Sequence, residues 1–265
     1  MKHLALKRLA LKRFSAAIGL VMLMAFACVY PRAQWKTHWS YTGAEGESHW
    51  GDLDPAYAAC KNGKEQSPID IWHAEAAQLP ELGFEYKSEP LKYLINNGYT
   101  IRVNYHDALG TGSALMVGGE RYQLTQLHFH RPSEEYVNGK PYPMVLHLMH
   151  QSSDGKIVGL AVLLKAGHAN AEVQKLWDHT PVTESGEEAI AGVDIDPAKM
   201  LPKDRRYYEY MGSLTAPPCT EGVKWFVLKT PAEVSAQQIA AFAKLYPHDV
   251  RQLQPLNGRV IKASR

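Results

Sequence analysis

From about residue 82 onward, short apolar runs alternate with stretches rich in Gly, Pro, Asn and Asp. This is the pattern of strands and turns. "LKYLINNGYTIRVNY" (91–105) holds two such runs on either side of "NNG", a hairpin-type turn signal. "RYQLTQLHFH" (121–130), "PMVLHLMHQ" (143–151), "IVGLAVLLKA" (157–166) and "VKWFVLKT" (223–230) read as further strands. Helical spacing is sparse. The best candidates are "HANAEVQKLWDHT" (168–180) and "PAEVSAQQIAAFAKLY" (231–246), the second expected to start just after Pro231. The segment 35–71 has no sustained period and reads as an irregular lead-in, packed on the core through Trp39, Tyr41 and Trp50. With no repeat, linker or composition break, the pattern predicts a mainly β (α+β) chain with one domain around a large sheet.

The N-terminus breaks this pattern. "MKHLALKRLALKRF" is basic, and "SAAIGLVMLMAFAC" is apolar but shorter than the roughly 20 residues a membrane span needs. This is a secretory signal, expected over 1–27 with a cleavage site that extends to 33 at the latest, and the folded domain over 34–265. A retained anchor and lipidation at Cys28 are the weaker alternatives, and a periplasmic or secreted location follows. The leader also distorts the charge. The first 33 residues carry six basic groups and no acid, so removing them from the formal +2 leaves −4, and nothing argues for a nucleic-acid partner. Over the full 265 residues, 45% hydrophobic and 21% charged is the composition of a globular protein. Of three cysteines, Cys60 and Cys219 stay with the exported domain, as a disulfide or as two free thiols.

The chemistry concentrates in "QLHFHRPSEE" (126–135). Alternate residues of a strand share a face, so His128 and His130 project together. Sixteen residues separate His130 from His147, across the turn-rich "RPSEEYVNGKPYP". Antiparallel pairing then brings His147 opposite the first two. Three imidazoles on one face form the ligand set of a catalytic zinc site with an open fourth position. His150, three residues after His147, falls on the other face and reads as a structural core histidine. A cupin metal site is the rival reading of H-x-H with a nearby Glu, but "PYPMVLHLMH" lacks the glycine that the second half of that pattern needs.

Together with "HWSY" (38–41), "WG" (50–51), "QSPIDI" (66–71), "NNG" (96–98), "LHLMH", "GSLTAPPCTEGVKW" (212–225) and "LNGRVIKAS" (256–264), these motifs closely resemble the α-class carbonic anhydrases from about His38 to the C-terminus. The resemblance implies a large, mostly antiparallel twisted β-sheet with a few short helices and zinc at the base of a conical cleft. It implies reversible hydration of CO2 to bicarbonate by hydroxide generated on Zn2+, weak esterase activity, and inhibition by sulfonamides or anions. His128, His130 and His147 would hold the ion. Thr215 would accept the hydroxide's proton, and Glu134 would accept from Thr215. Gln126 would orient a ligand. Met149, Val162, Leu214, Val223 and Trp225 would form the apolar wall, and Cys60 and Cys219 a disulfide. A monomer or homodimer is expected, with no membrane span. A carbonic-anhydrase-like binding protein without catalysis is the reading from another class. It would be expected to have lost a zinc histidine.

Two positions depart from the family. Val145 stands where members usually carry the Glu that orients the third ligand, so Glu135 is expected to take that role. Tyr99 stands where fast members carry a proton-shuttling His, and a phenol with an ordinary pKa near 10 exchanges protons poorly at pH 7. His106 has no positional support as a substitute.

Overall fold

The computed structural model describes residues 37–108 and 110–265. The signal peptide expected over 1–27, Cys28 and the start of the domain at residue 34 lie outside the described residues. Among the described residues no helix is long and apolar enough to cross a membrane.

Twelve strands form the main sheet. Nine make its continuous path: β1 (Glu75–Ala77), β2 (Leu94–Asn96), β3 (Ile101–Asn104), β4 (Glu120–His130), β5 (Met144–Gln151), β6 (Ile157–Ala166), β7 (Tyr207–Ser213), β8 (Glu221–Leu228) and β9 (Lys262–Ser264). Their order across the sheet is β1-β9-β7-β8-β6-β5-β4-β3-β2. Pairing is antiparallel except at β6–β8 and β9–β1, and β6 also pairs in parallel with Ala232–Val234. The hairpin read at "NNG" joins β2 to β3, with Asn96 opposite Ile101. Gly98 takes φ 80° in that turn, and Asn97 Oδ1 accepts from the backbone N–H groups of Tyr99 and Thr100.

The strand reading from apolar runs holds closely, because both faces of the central strands are buried. One face of β5 carries Met144, Leu146 and Leu148 into a core with Phe129, Leu160, Val162 and Phe226. The other carries Val145 and Met149 into a second cluster with Ala161, Leu163, Tyr210, Val223 and Trp225. The functional face is this second one.

Two helices pack outside the sheet, α1 (Ala171–His179) and α2 (Ala236–Leu245). Asn170 Oδ1 caps α1 by accepting from Glu172 N and Val173 N. The second helix starts later than expected from Pro231. Ser235 and Gln238 form a reciprocal capping box, and "AEV" just before it extends the sheet. The β-branched Val234 is buried there beside Ala232.

Candidate metal centre

His128 and His147 face each other across β4 and β5, and His130 lies opposite Val145 on the same pair of strands. The three imidazoles present ligand atoms that all lie within 4.8 Å of one another. Two of the rings are held by hydrogen bonds of different kinds. His130 donates from Nδ1 to the Asp249 backbone oxygen at 2.6 Å, leaving Nε2 buried without a partner. His147 donates from Nε2 to both Glu135 oxygens, at 3.0 and 3.1 Å, leaving Nδ1 buried without a partner. His128 is partly buried, and its Nδ1 is also unpartnered. Gln126 Oε1, expected to meet His128, is likewise buried without a hydrogen bond.

Buried nitrogen lone pairs converging without donors are costly unless something binds them. Burial, reinforced by the neighbouring imidazoles, holds His128 well below its ordinary pKa and brings His130 down to about 3. Both rings are therefore neutral, as metal ligands must be. Burial opposes charge on His147 too, but the Glu135 carboxylate and its hydrogen bond, with Glu134 behind, raise it. The donor set fits Zn2+, which takes three histidines and keeps one position open.

Glu134 lies under the triad, fully buried, with Oε2 3.4 Å from His130 Nε2 and 3.9 Å from His147 Nδ1. Its Oε1 accepts from the Arg251 backbone N–H at 3.0 Å. Burial pushes its carboxyl up to about 7, against the pull of His147, the Arg251 N–H and the Thr215 hydroxyl. Thr215 is buried in the loop between β7 and β8. That loop is tied at Leu214 N to Thr220 O and at Cys219 N to Ala216 O. A disulfide joins Cys219 to Cys60, with Cα atoms 5.0 Å apart.

The chain matches the family model for eukaryotic-type carbonic anhydrase over residues 45–265. It is 40% identical over 241 residues to a carbonic anhydrase of Nostoc sp., covering 89% of each chain. This chain belongs to the carbonic anhydrase family. Among solved structures it is similar to α-carbonic anhydrase from Thermovibrio ammonificans in complex with the inhibitor sulfanilamide. That match has TM-score 0.80 and 43% identity, over 86% of this chain and 99% of that one. It also resembles a dioscorin complexed with ascorbate, at TM-score 0.73 and 30% identity, over 85% and 97% of the two chains. The family is one of lyases that hydrate CO2, and this member is an enzyme of that kind.

Beside the triad, Met149, Val223 and Trp225 share one apolar cluster, with Leu214 packed against it. Val162 does not join them. It lies opposite Leu146 and packs into the core on the other face of the sheet. The position that faces Met149 and Trp225 is Gly159, where a Cβ would meet the Trp225 ring at 2.6 Å. Strand period two makes the one-residue choice decisive, since Ala161 faces the site and Val162 cannot.

Tyr99 stacks on Trp39 at 4.1 Å between ring centroids. Its hydroxyl donates to the Trp39 backbone oxygen and lies 3.4 Å from His38 Nε2. Burial raises its pKa further above 10. His106 pairs with Glu187 at 2.9 Å on an exposed surface.

Two residues at the site carried no sequence signal of their own. Asp249 and Arg251 reach His130 and Glu134 from more than a hundred residues away through backbone atoms, which leave no side-chain pattern to read. Arg102 had a legible position, opposite His128, once β3 and β4 were paired.

Proposed function

We propose that this enzyme hydrates CO2 reversibly through a Zn2+ ion held by His128, His130 and His147. The observation that carries this reading is the cluster of three imidazoles with buried, unpartnered nitrogens, His130 and His147 each anchored through the other ring nitrogen. Such an ion, when bound, lowers the pKa of a coordinated water to about 7, the family's own value, and so supplies hydroxide at neutral pH.

The protein's residues do the rest. Thr215 has one hydroxyl proton. Giving it to Glu134 leaves only oxygen lone pairs facing the site, so Thr215 accepts a hydrogen bond from a hydroxyl there and fixes its orientation. Glu135 holds the His147 ring. Met149, Leu214, Val223 and Trp225 give an uncharged gas a dry wall. The same site hydrolyses activated esters weakly. The leader and the disulfide support export to the periplasm or beyond.

Zinc analysis combined with a CO2 hydration assay tests the proposal. Activity should fall with chelation, return with zinc and be blocked by a primary sulfonamide. Full activity in protein stripped of zinc would overturn it.

A further inference from the structure

Arg102 is a guanidinium held beside the metal centre with no hydrogen-bond acceptor among the described residues. On β3 it stands directly opposite His128 of β4, which stands opposite His147 of β5. Residues paired across neighbouring strands share a face, so the three side chains form one transverse row. Arg102 is partly buried, and its Nε is shielded from solvent without a hydrogen-bond partner. Among the described residues its side chain forms no salt bridge or hydrogen bond. Glu187 lies within electrostatic reach, but its Oε1 is taken by Asn104 Nδ2 at 2.6 Å and His106 Nε2 at 2.9 Å.

A desolvated charge without a partner is expensive to keep. A planar fork of N–H donors with no acceptor is the complement of a small oxyanion. We propose that Arg102 makes the triad-side wall of the cleft a binding site for small oxyanions of the bicarbonate class, such as nitrate and formate. This rests on reading the triad as a zinc centre that turns CO2 into bicarbonate. An uncharged substrate gains nothing from the guanidinium, whereas a monoanionic product does. Arg102 therefore sets how tightly the product is held relative to the substrate, and so how strongly anions compete for the cleft.

The test compares the zinc-loaded parent with Arg102→Gln and Arg102→Met, using nitrate and formate as inhibitors of CO2 hydration. Both variants remove an unpaired, desolvated charge, and Met preserves the long stem, so the fold is under little threat. Both inhibition constants should rise about tenfold, the scale of one lost charge-assisted hydrogen bond. Arg102→Lys should fall between the parent and the neutral variants. Inhibition constants in fully zinc-loaded Gln and Met variants equal to those of the parent would overturn the proposal. The nitrate-dependent rise in Tm of the same proteins reads binding without catalysis. A parent that hydrates no CO2, yet shows a rise the variants lose, sinks the functional reading and leaves the anion site standing. A Tm rise undiminished in both neutral variants counts against the site.

Discussion

Glu135 meets His147 with both oxygens of its carboxylate, at 3.0 and 3.1 Å from Nε2, while the strand position two residues before His147 is the apolar Val145. The carboxylate thus comes from the turn after β4 instead of from the strand that carries the ligand. Val145 packs instead into the apolar cluster beside Met149.

This arrangement predicts the effect of Glu135→Ala. The change leaves His147 Nε2 buried with no acceptor and frees the ring to rotate. Loss of such an outer partner weakens metal binding 10- to 100-fold as an order of magnitude. Competition with a chelating dye measures it directly, apart from activity. A zinc affinity within twofold of the parent would mean the Glu135 contact does not position the ligand.

Tyr99 predicts slow proton export. Its hydroxyl already donates to the Trp39 carbonyl, and burial pushes its pKa up, so it cannot relay protons near neutrality. Maximal turnover should rise with added imidazole buffer while kcat/KM stays constant. Tyr99→His should raise turnover in weak buffer and blunt that response. A parent turnover indifferent to buffer concentration would refute this account.

The disulfide closes a span of 159 residues and ends four residues beyond Thr215. Restricting the unfolded chain over a loop of that length is worth roughly 4–5 kcal/mol in the entropy model, an upper figure. The double change Cys60→Ser and Cys219→Ser should lower unfolding free energy by about 2–5 kcal/mol, read from urea denaturation. Adding reductant to the parent should approach the same value. Coincident urea curves with and without the bridge would show that other contacts hold this loop.

What could be read in advance follows the physics of each element. Strands β4, β5 and β6 were legible because strands of a buried sheet read as short apolar runs bounded by turn residues. The triad was legible because two histidines of one strand and one of the next must converge when those strands pair. Assigning Val162 to the apolar wall failed at the level of register. Nothing in "GLAVLL" distinguishes its two faces, since both are apolar and both are buried. The start of α2 was missed because Pro231 looked like a helix opener, while the Ser235–Gln238 box lay four residues on. Asp249, acting on His130 through its backbone oxygen, depends on how the C-terminal segment folds back.

His150 ties stability to pH. It is fully buried on the face opposite the triad, with Nε2 2.8 Å from the Tyr86 hydroxyl and its ring stacked on the Tyr86 ring. Burial brings its pKa down to about 3, against the opposing pull of the Val158 and Leu148 backbone carbonyls. The unfolded chain takes up this proton near pH 6.5, and the folded chain refuses it until about pH 3. Its contribution to stability is therefore complete above pH 6.5 and is lost as pH falls. Well below 6.5 the loss is about 1.4 kcal/mol per pH unit, or about 2 kcal/mol by pH 5. In His150→Phe the ring contact with Tyr86 persists but no proton can bind. Comparing metal-free parent and variant keeps zinc release out of the measurement. Between pH 6.5 and 4.5 the variant's unfolding free energy should fall less steeply, by about one proton's worth of slope. Parallel slopes for the two proteins would show that His150 is protonated in the folded state and that acid sensitivity lies with the carboxylates.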